Sequence, residues 1–408
     1  MSDLNKNTLY SDVVICGGAL AGMTLALAFI KNGFNVVMVD PKTVKDLINF
    51  DKRTTAIAEG AKNFYDTIGV WKKVKRFAEP IKIIKIKDGS SKIDLNFDCK
   101  QFEDNTNVDS LGYVLENVHL LKQINSTIEG YRNKEGLIKR IKARVVSIDS
   151  NNLNSKVILS NKMEISSSLV VACDGKHSIA RNMMNIGTKS YSYKQEAFVC
   201  TILHEKRHDN IALEKFLPGG PLAILPMKKY KNMYRSSVIW SDGREVSKSR
   251  YNSSMNNTSN IESEIEDHCK DWLGKVKVDN FKALFPLELT MPKSMIENRF
   301  ILIGDSAHSI HPIAGQGFNL TIRDIKSFVE ECHKRKSLGL DIGSKIFLKN
   351  FERKRILDIT SLVRSTHILN KLFENNDLSV KLFRRLGLSA VSRSKTIKKI
   401  FMKYAMGI

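Results

Sequence analysis

Four short apolar runs, each closed by an acid or a glycine, set out the framework of the chain. Val13 to Cys16 breaks at Gly17-Gly18 into an uncharged stretch ending at Ile30, and Val36 to Val39 then closes on Asp40, so that Asp12 to Asp40 reads as strand, tight turn, helix, strand. Ser168 to Cys173 closes on Asp174-Gly175. Phe300 to Ile303 closes on Gly304-Asp305. The latter two are expected near one another in a single sheet.

Between these runs the pattern changes character. Ile81 to Phe97 alternates apolar and polar residues, as strands with one wet face do, and Leu111 to Asn117 leads into a helix reaching about Glu129. Asp51 to Ile57 is expected to open a helical stretch running to Gly69. Ala143 to Ser160 holds two strands. Glu196 to Gly243 is β-rich with turn signals, Asn252 to Asn260 is a polar loop, and Ile261 to Leu273 is helical. After Pro312, Gly315 and Gly317 bracket Gln316 and lead into the helical spacing of Phe318 to Ile322.

Towards the end of the chain, Ile397, Ile400, Phe401 and Tyr404 fall at i, i+3, i+4 and i+7 with Lys395, Lys398, Lys399 and Lys403 between them. This spells a basic amphipathic helix. Packing against its own domain and docking on an anionic bilayer are both open to it.

Composition narrows the picture. At 408 residues and 42% hydrophobic content the chain can bury a large core and form two closely joined domains. Six scattered cysteines lack any paired spacing, so neither a zinc site nor a disulfide framework is indicated and a reducing compartment fits. Met1 to Asp12 lacks the order of a signal peptide. Val13 to Ile30 is uncharged, but Gly17-Gly18 splits it, which argues against a membrane span. The net charge of +22 suits an anionic membrane or a basic soluble surface better than nucleic acid, because aromatics are only 8% and no basic run is interleaved with them.

The candidate chemistry gathers at the ends of the apolar runs. In G-G-A-L-A-G, covering Gly17, Gly18, Ala19, Leu20, Ala21 and Gly22, Gly17 makes the turn and Gly22 lets helix and strand approach, so a diphosphate is expected on the helix tip. Ala19 stands where the usual motif has its middle glycine. Asp40 is placed to accept from an adenosine ribose, and Arg53 could pair with a phosphate. Late in the chain, Gly304-Asp305 offers a carboxylate for hydroxyls, while Gly315, Gln316, Gly317 and Asn319 form a glycine-lined helix start suited to an electron-rich group. A polyol between two electron-rich ends fits both, and FAD has that shape. His308 and His311 have no carboxylate or cysteine at ligand spacing, so no metal is expected.

In one order, G-G-A-L-A-G, D-G-K-H-S-I-A-R (Asp174 to Arg181) and G-D-S-A-H-S-I-H-P-I-A-G-Q-G-F-N-L resemble the flavoprotein aromatic hydroxylases, the fold class of p-hydroxybenzoate hydroxylase. D-K-R-T-T-A-I, L-G-Y-V-L-E-N and K-Y-A-M-G look like the ubiquinone-biosynthesis branch. The resemblance implies an α/β fold: a Rossmann-like FAD-binding domain with an inserted β-sheet substrate domain and a helical C-terminal tail. The expected divisions are FAD-binding parts at 1–80, 111–190 and 291–350, substrate-domain strands at 81–110, the substrate sheet at 191–290 and a basic tail at 351–408.

It further implies that Gly17, Gly18 and Gly22 hold the diphosphate, Asp40 the ribose, Arg53 the cofactor's middle and Asp305 the ribityl chain, with Ala19, Ala21 and Gly304 also at the cofactor. Gly315, Gln316, Gly317 and Asn319 would face the flavin ring, and Asp174 and Gly175 are linked to flavin and pyridine nucleotide. The implied reaction takes electrons from NAD(P)H and one oxygen from O2, through a flavin hydroperoxide, to hydroxylate a polyprenylated phenol. Other ubiquinone-biosynthesis proteins and an anionic membrane surface are the implied partners, and the implied location is cytoplasmic, peripheral on the inner membrane face. A flavin reductase of the same fold, or a non-catalytic subunit, are the alternatives. No catalytic acid or base is singled out among His177, His308, His311 and Tyr113.

Overall fold

A computed structural model describes residues 8–89, 94–102, 109–132, 137–375 and 377–408. The opening residues 1–7, part of the polar start, lie outside them. The first apolar run forms β1 (Thr8–Cys16), and the Gly17-Gly18 turn enters α1 (Leu20–Lys31), which is buried on nearly every side and therefore carries no polar face. β2 (Val36–Asp40) returns parallel to β1. A Thr43–Asp46 capping box then opens α2 (Val44–Phe50).

From Asp51 the structure departs from expectation. Thr54–Ala58 is a strand, β3, and only afterwards does α3 (Glu59–Thr67) begin, followed by α4 (Trp71–Val74). The β-branched Thr54, Thr55 and Ile57 favour an extended chain, and a partner strand is available. After β4 (Glu79–Ile81), β5 (Ile83–Asp88) and β6 (Asp94–Asp98), that partner is β7 (Gly112–Glu116), which pairs antiparallel with β3 and β4.

Next come α5 (Asn117–Arg132), β8 (Ile138–Lys142), β9 (Val145–Ser150), β10 (Ser155–Leu159), β11 (Glu164–Ala172) and the short α6 (Ile179–Met183).

β12 (Thr188–His204), β13 (Ile211–Leu217), β14 (Gly220–Tyr230), β15 (Met233–Gly243) and β16 (Val276–Pro292) join β5 and β6 in a seven-stranded sheet, ordered β16-β12-β15-β14-β13-β5-β6. Its core, including Phe198, Leu222 and Trp240, packs on Ile261, Ile265 and Leu273 of α8 (Ser259–Leu273). α7 (Arg244–Asn256) continues through much of the expected polar loop. Its buried face is made by Ser247 and Ser254, two turns apart, and Ser247 Oγ donates to Glu196 O at 2.8 Å. A helix packed through serines escapes any search for apolar periodicity.

The chain closes with β17 (Ile296–Glu297), β18 (Phe300–Leu302), α9 (Gln316–Ser337), α10 (Lys345–Glu374), α11 (Leu378–Arg393) and α12 (Lys395–Met406). In the eight-stranded sheet, β18, β11, β1, β2 and β8 are consecutive parallel neighbours. The two Asp-ended strands are thus direct partners, in register from Val170 opposite Phe300 to Ala172 opposite Leu302. Gly17, Asp40, Asp174 and Asp305 all follow carboxyl ends of these strands, the edge at which open parallel sheets take ligands.

α12 packs on its own protein, but through Met402 and Met406, which join Cys99 and Leu111 in a small core. The stripe expected to do this faces outward: Ile397, Ile400, Phe401 and Tyr404 are 40–62% exposed.

Candidate active site

The glycines at the sheet edge are required by close approach. A Cβ on Gly17 (φ 109°) would collide with Cys173 O, and one on Gly22 would overlap Gly17 O, so the β1–α1 turn is wedged against the end of β11. Ala19 is exposed, and its methyl therefore meets no such barrier. Gly18 N–H donates to Asp40 Oδ2 at 2.6 Å and Lys42 N–H to Oδ1 at 2.7 Å, which fixes the carboxylate at the end of β2.

The later motifs close on the same place. Gly304 (φ 76°) packs so that a Cβ there would lie 3.5 Å from the Ala21 methyl of α1. Arg181 Nη1 donates to Ser306 O at 2.9 Å, and Ser306 Oγ to Ala172 O at 2.7 Å, tying the Asp174 and Asp305 loops together. Asp174 Oδ2 accepts from Ala180 N–H, while Oδ1 is buried without a partner among the described residues.

Arg53 is held by Asp51, which accepts from Nε and Nη2 at 2.8 Å each, and Asn117 braces the same carboxylate at 3.0 Å. The hydrogen bond that it donates to Asp51 is the main reason the guanidinium keeps its proton still more firmly, with the charges of Asp51 and Asp305 adding to it. Asp305 opens onto the cleft but is crowded by protein; this desolvation raises its pKa, and the positive charges of His308, Arg53 and Lys176 oppose the rise.

At the ring end, Gly315 (φ 61°) caps α9, and a Cβ on it would stand 3.2 Å from the Ala56 methyl of β3. Asn319 acts as a brace: Oδ1 accepts from Ala58 N–H at 2.9 Å, and Nδ2 donates to Ala56 O at 2.9 Å and Gly315 O at 3.1 Å. Gln316 Nε2 donates to Ala405 O of α12 at 3.1 Å.

Gly17, Gly18, Ala21, Gly22, Asp40, Asp174, Gly304 and Asp305 therefore gather at one edge of the eight-stranded sheet, while Gly315 and Asn319 pack on β3 of the three-stranded sheet and Gln316 on α12. Side chains at this edge that spacing did not single out are Ser306, Asn117 and Asp324. Fully buried, Asp324 accepts from His308 Nε2 at 2.5 Å and from Arg355 Nε at 2.7 Å.

These residues fit FAD. The starts of α1 and α9 carry no side-chain cap and no acid in the first turn, leaving N–H groups for a diphosphate and for a flavin carbonyl edge. Asp174 Oδ1 is an acceptor awaiting a donor. No group of three or more His, Cys, Asp or Glu residues suited to a metal occurs among the described residues.

Residues 10–331 match the FAD binding domain family. Along 97% of its length the chain is 33% identical to the ubiquinone hydroxylase UbiL of Rhodospirillum rubrum, covering 90% of that protein. The chain is an FAD-dependent hydroxylase of this family. The hydroxylase is also 26% identical to 3-demethoxyubiquinol 3-hydroxylase of Escherichia coli over 98% of this chain and 99% of that one. Its fold is shared with p-nitrophenol 4-monooxygenase PnpA of Pseudomonas putida, at TM-score 0.78, 16% identity and 97% coverage of both chains. When bound, FAD supplies the capacity to accept electrons and to pass one oxygen atom of O2 to an aromatic ring.

Proposed function

We propose that the hydroxylase adds oxygen to the aromatic ring of a polyprenylated phenol during ubiquinone biosynthesis, with NAD(P)H as electron donor and O2 as co-substrate. The observation that carries this reading is the end-to-end similarity to a ubiquinone hydroxylase, at 33% identity over 399 residues. Gly17, Gly18, Ala19, Ala21 and Gly22 hold the diphosphate, Asp40 the ribose and Asp305 the ribityl hydroxyls. The uncapped N–H groups of Gln316 and Gly317 face the flavin's carbonyl edge. Arg53, with Asp51 and Asn117 behind it, presents positive charge to the middle of the cofactor. The seven-stranded sheet and the Pro312–Gly317 loop together exclude water from the ring being oxidised.

A prenylated substrate resides in a bilayer. No helix among the described residues is long and apolar enough to cross one. The outward stripe of α12, flanked by Lys395, Lys398 and Lys403, supports peripheral docking on an anionic membrane face, where the prenyl chain stays in lipid while the ring enters the protein.

The test is to incubate the FAD-loaded protein, NAD(P)H and a prenylated phenol under heavy-isotope dioxygen. A product one heavy oxygen heavier is expected. Donor oxidation with no labelled product from any prenylated phenol would overturn the reading.

A further inference from the structure

A second group of polar side chains lies beside the ring end of the cleft and takes no part in gripping a nucleotide. Gln195 of β12 is buried, and its Nε2 donates to Gly219 O at 2.8 Å, which fixes the orientation of the amide. Its Oε1 faces His311 Nε2 at 3.4 Å and Asn370 Nδ2 at 3.5 Å. Both distances lie at the outer limit of hydrogen bonding. His311 is fully buried, and its Nδ1 has no partner among the described residues. Asn370 is 2% exposed. Buried polar groups are normally satisfied, so three that meet only at arm's length mark a place built to receive another polar atom.

The position of the group says which atom that is. His311 immediately precedes the Pro312–Gly317 loop. Gln195 follows a β-bulge, where the pairing of β12 with β16 shifts between Ser192 and Gln195 and Lys194 adopts φ 57°. Asn370 belongs to α10, beyond residue 331, where the family match ends. One turn earlier on α10, His367 Nδ1 shares a hydrogen bond with Tyr193 OH at 3.2 Å, and the Tyr193 ring stands edge-on to His311 with centroids 4.9 Å apart. The loop, the inserted sheet and α10 thus meet around one underbonded polar centre. Burial also lowers the His311 pKa to about 4, so at neutral pH the imidazole offers one N–H and one lone pair.

We propose that Gln195, His311 and Asn370 form the subsite that binds an oxygen substituent of the substrate ring, and that α10 thereby selects which ring is accepted. The subsite rests on the aromatic-hydroxylase reading above. A ring hydroxyl donates to Gln195 Oε1 or to the His311 lone pair and accepts from Asn370 Nδ2. An O-methyl ether cannot donate, and its methyl group adds bulk.

The experiment titrates the FAD-loaded full chain with a short-chain prenylated phenol and with its O-methyl ether, following the flavin absorbance. The wild type is expected to bind the phenol at least about tenfold more tightly. Asn370→Leu and Gln195→Met are expected to weaken phenol binding about tenfold and to leave ether binding within about twofold with FAD content unchanged; Asn370→Leu is expected to melt as the wild type, and Gln195→Met somewhat lower because Gly219 O loses its donor. Should Gln195→Met lose FAD, Asn370→Leu carries the test alone, since it lies outside the cofactor-binding region. Variants that keep the wild-type preference while the wild type hydroxylates the phenol would overturn the subsite alone. A wild type that binds neither compound would overturn the aromatic reading and the subsite with it.

Discussion

At Asp305 two influences oppose each other: crowding by protein disfavours the charge, and Arg53, Lys176 and His308 favour it. A carboxylate in that balance is well suited to accept hydrogen bonds from neutral hydroxyls. Asp305→Ala is expected to weaken FAD retention at least about tenfold while the apoprotein melts as before, as read from flavin absorbance per mole of protein after gel filtration. His311 gives a different signature. Its folded-state pKa of about 4 lies below the ordinary 6.5, so the unfolded chain binds the proton more tightly and stability falls as pH drops through that interval. At pH 5 the loss is about 2 kcal/mol. Denaturant unfolding at pH 7 and pH 5 should therefore show a smaller decline in His311→Gln than in the wild type.

Among the elements, β3 is held from outside its own sheet by the side chain of Asn319 at the start of α9. Asn319→Ala is expected to cost about 2–3 kcal/mol and to speed hydrogen exchange at the Ala58 amide more than at the β1 amides. Of the parallel strands, β2, β11 and β18 were legible in the sequence because each is an apolar run stopped at or just before an acid, and β1 because its run stops at Gly17-Gly18; β8, Ile-Lys-Arg-Ile-Lys, alternates polar and apolar residues and was not. β3 was not, because its Thr-Thr-Ala-Ile segment is as compatible with a helix start as with a strand until β7 is supplied. Nor was the full length of α7, whose buried face is serine. That Gly17, Asp40, Asp174 and Asp305 stand at strand ends could be read from spacing, since strand ends and turns are local features, whereas a cofactor role for Asp174 and Gly175 was implied only by the family resemblance. Gln195, His311 and Asn370 could not be grouped that way, because a bulge, a loop and a helix far apart in sequence bring them together.

Taken as a whole, the molecule joins two sheets through its later helices. Arg384 of α11 donates from Nε to Asp88 of β5 at 2.9 Å, with both side chains buried, which anchors the helical tail to the seven-stranded sheet. α12 turns its methionines inward and its isoleucines outward, so the proposed lipid contact can be tested on its lysines. Replacing Lys395, Lys398 and Lys403 together by Glu should reduce sedimentation with phosphatidylserine-containing vesicles several-fold at low ionic strength, and wild-type binding should weaken as salt is added. Sedimentation unaffected by the triple replacement would remove the docking role from α12.

The contact between Gln316 and Ala405 bridges 89 positions of chain. On the ribosome, the loop expected to face the flavin emerges long before the carbonyl that holds its glutamine in place, and Gly60 likewise waits for the backbone of Gly407. A nascent chain halted before Lys395 would own the glycines and aspartates of the parallel-sheet edge and still lack the support behind the Gln316 turn. The Gln316 turn therefore gains its backing only once α12 has been made, long after its own residues have emerged.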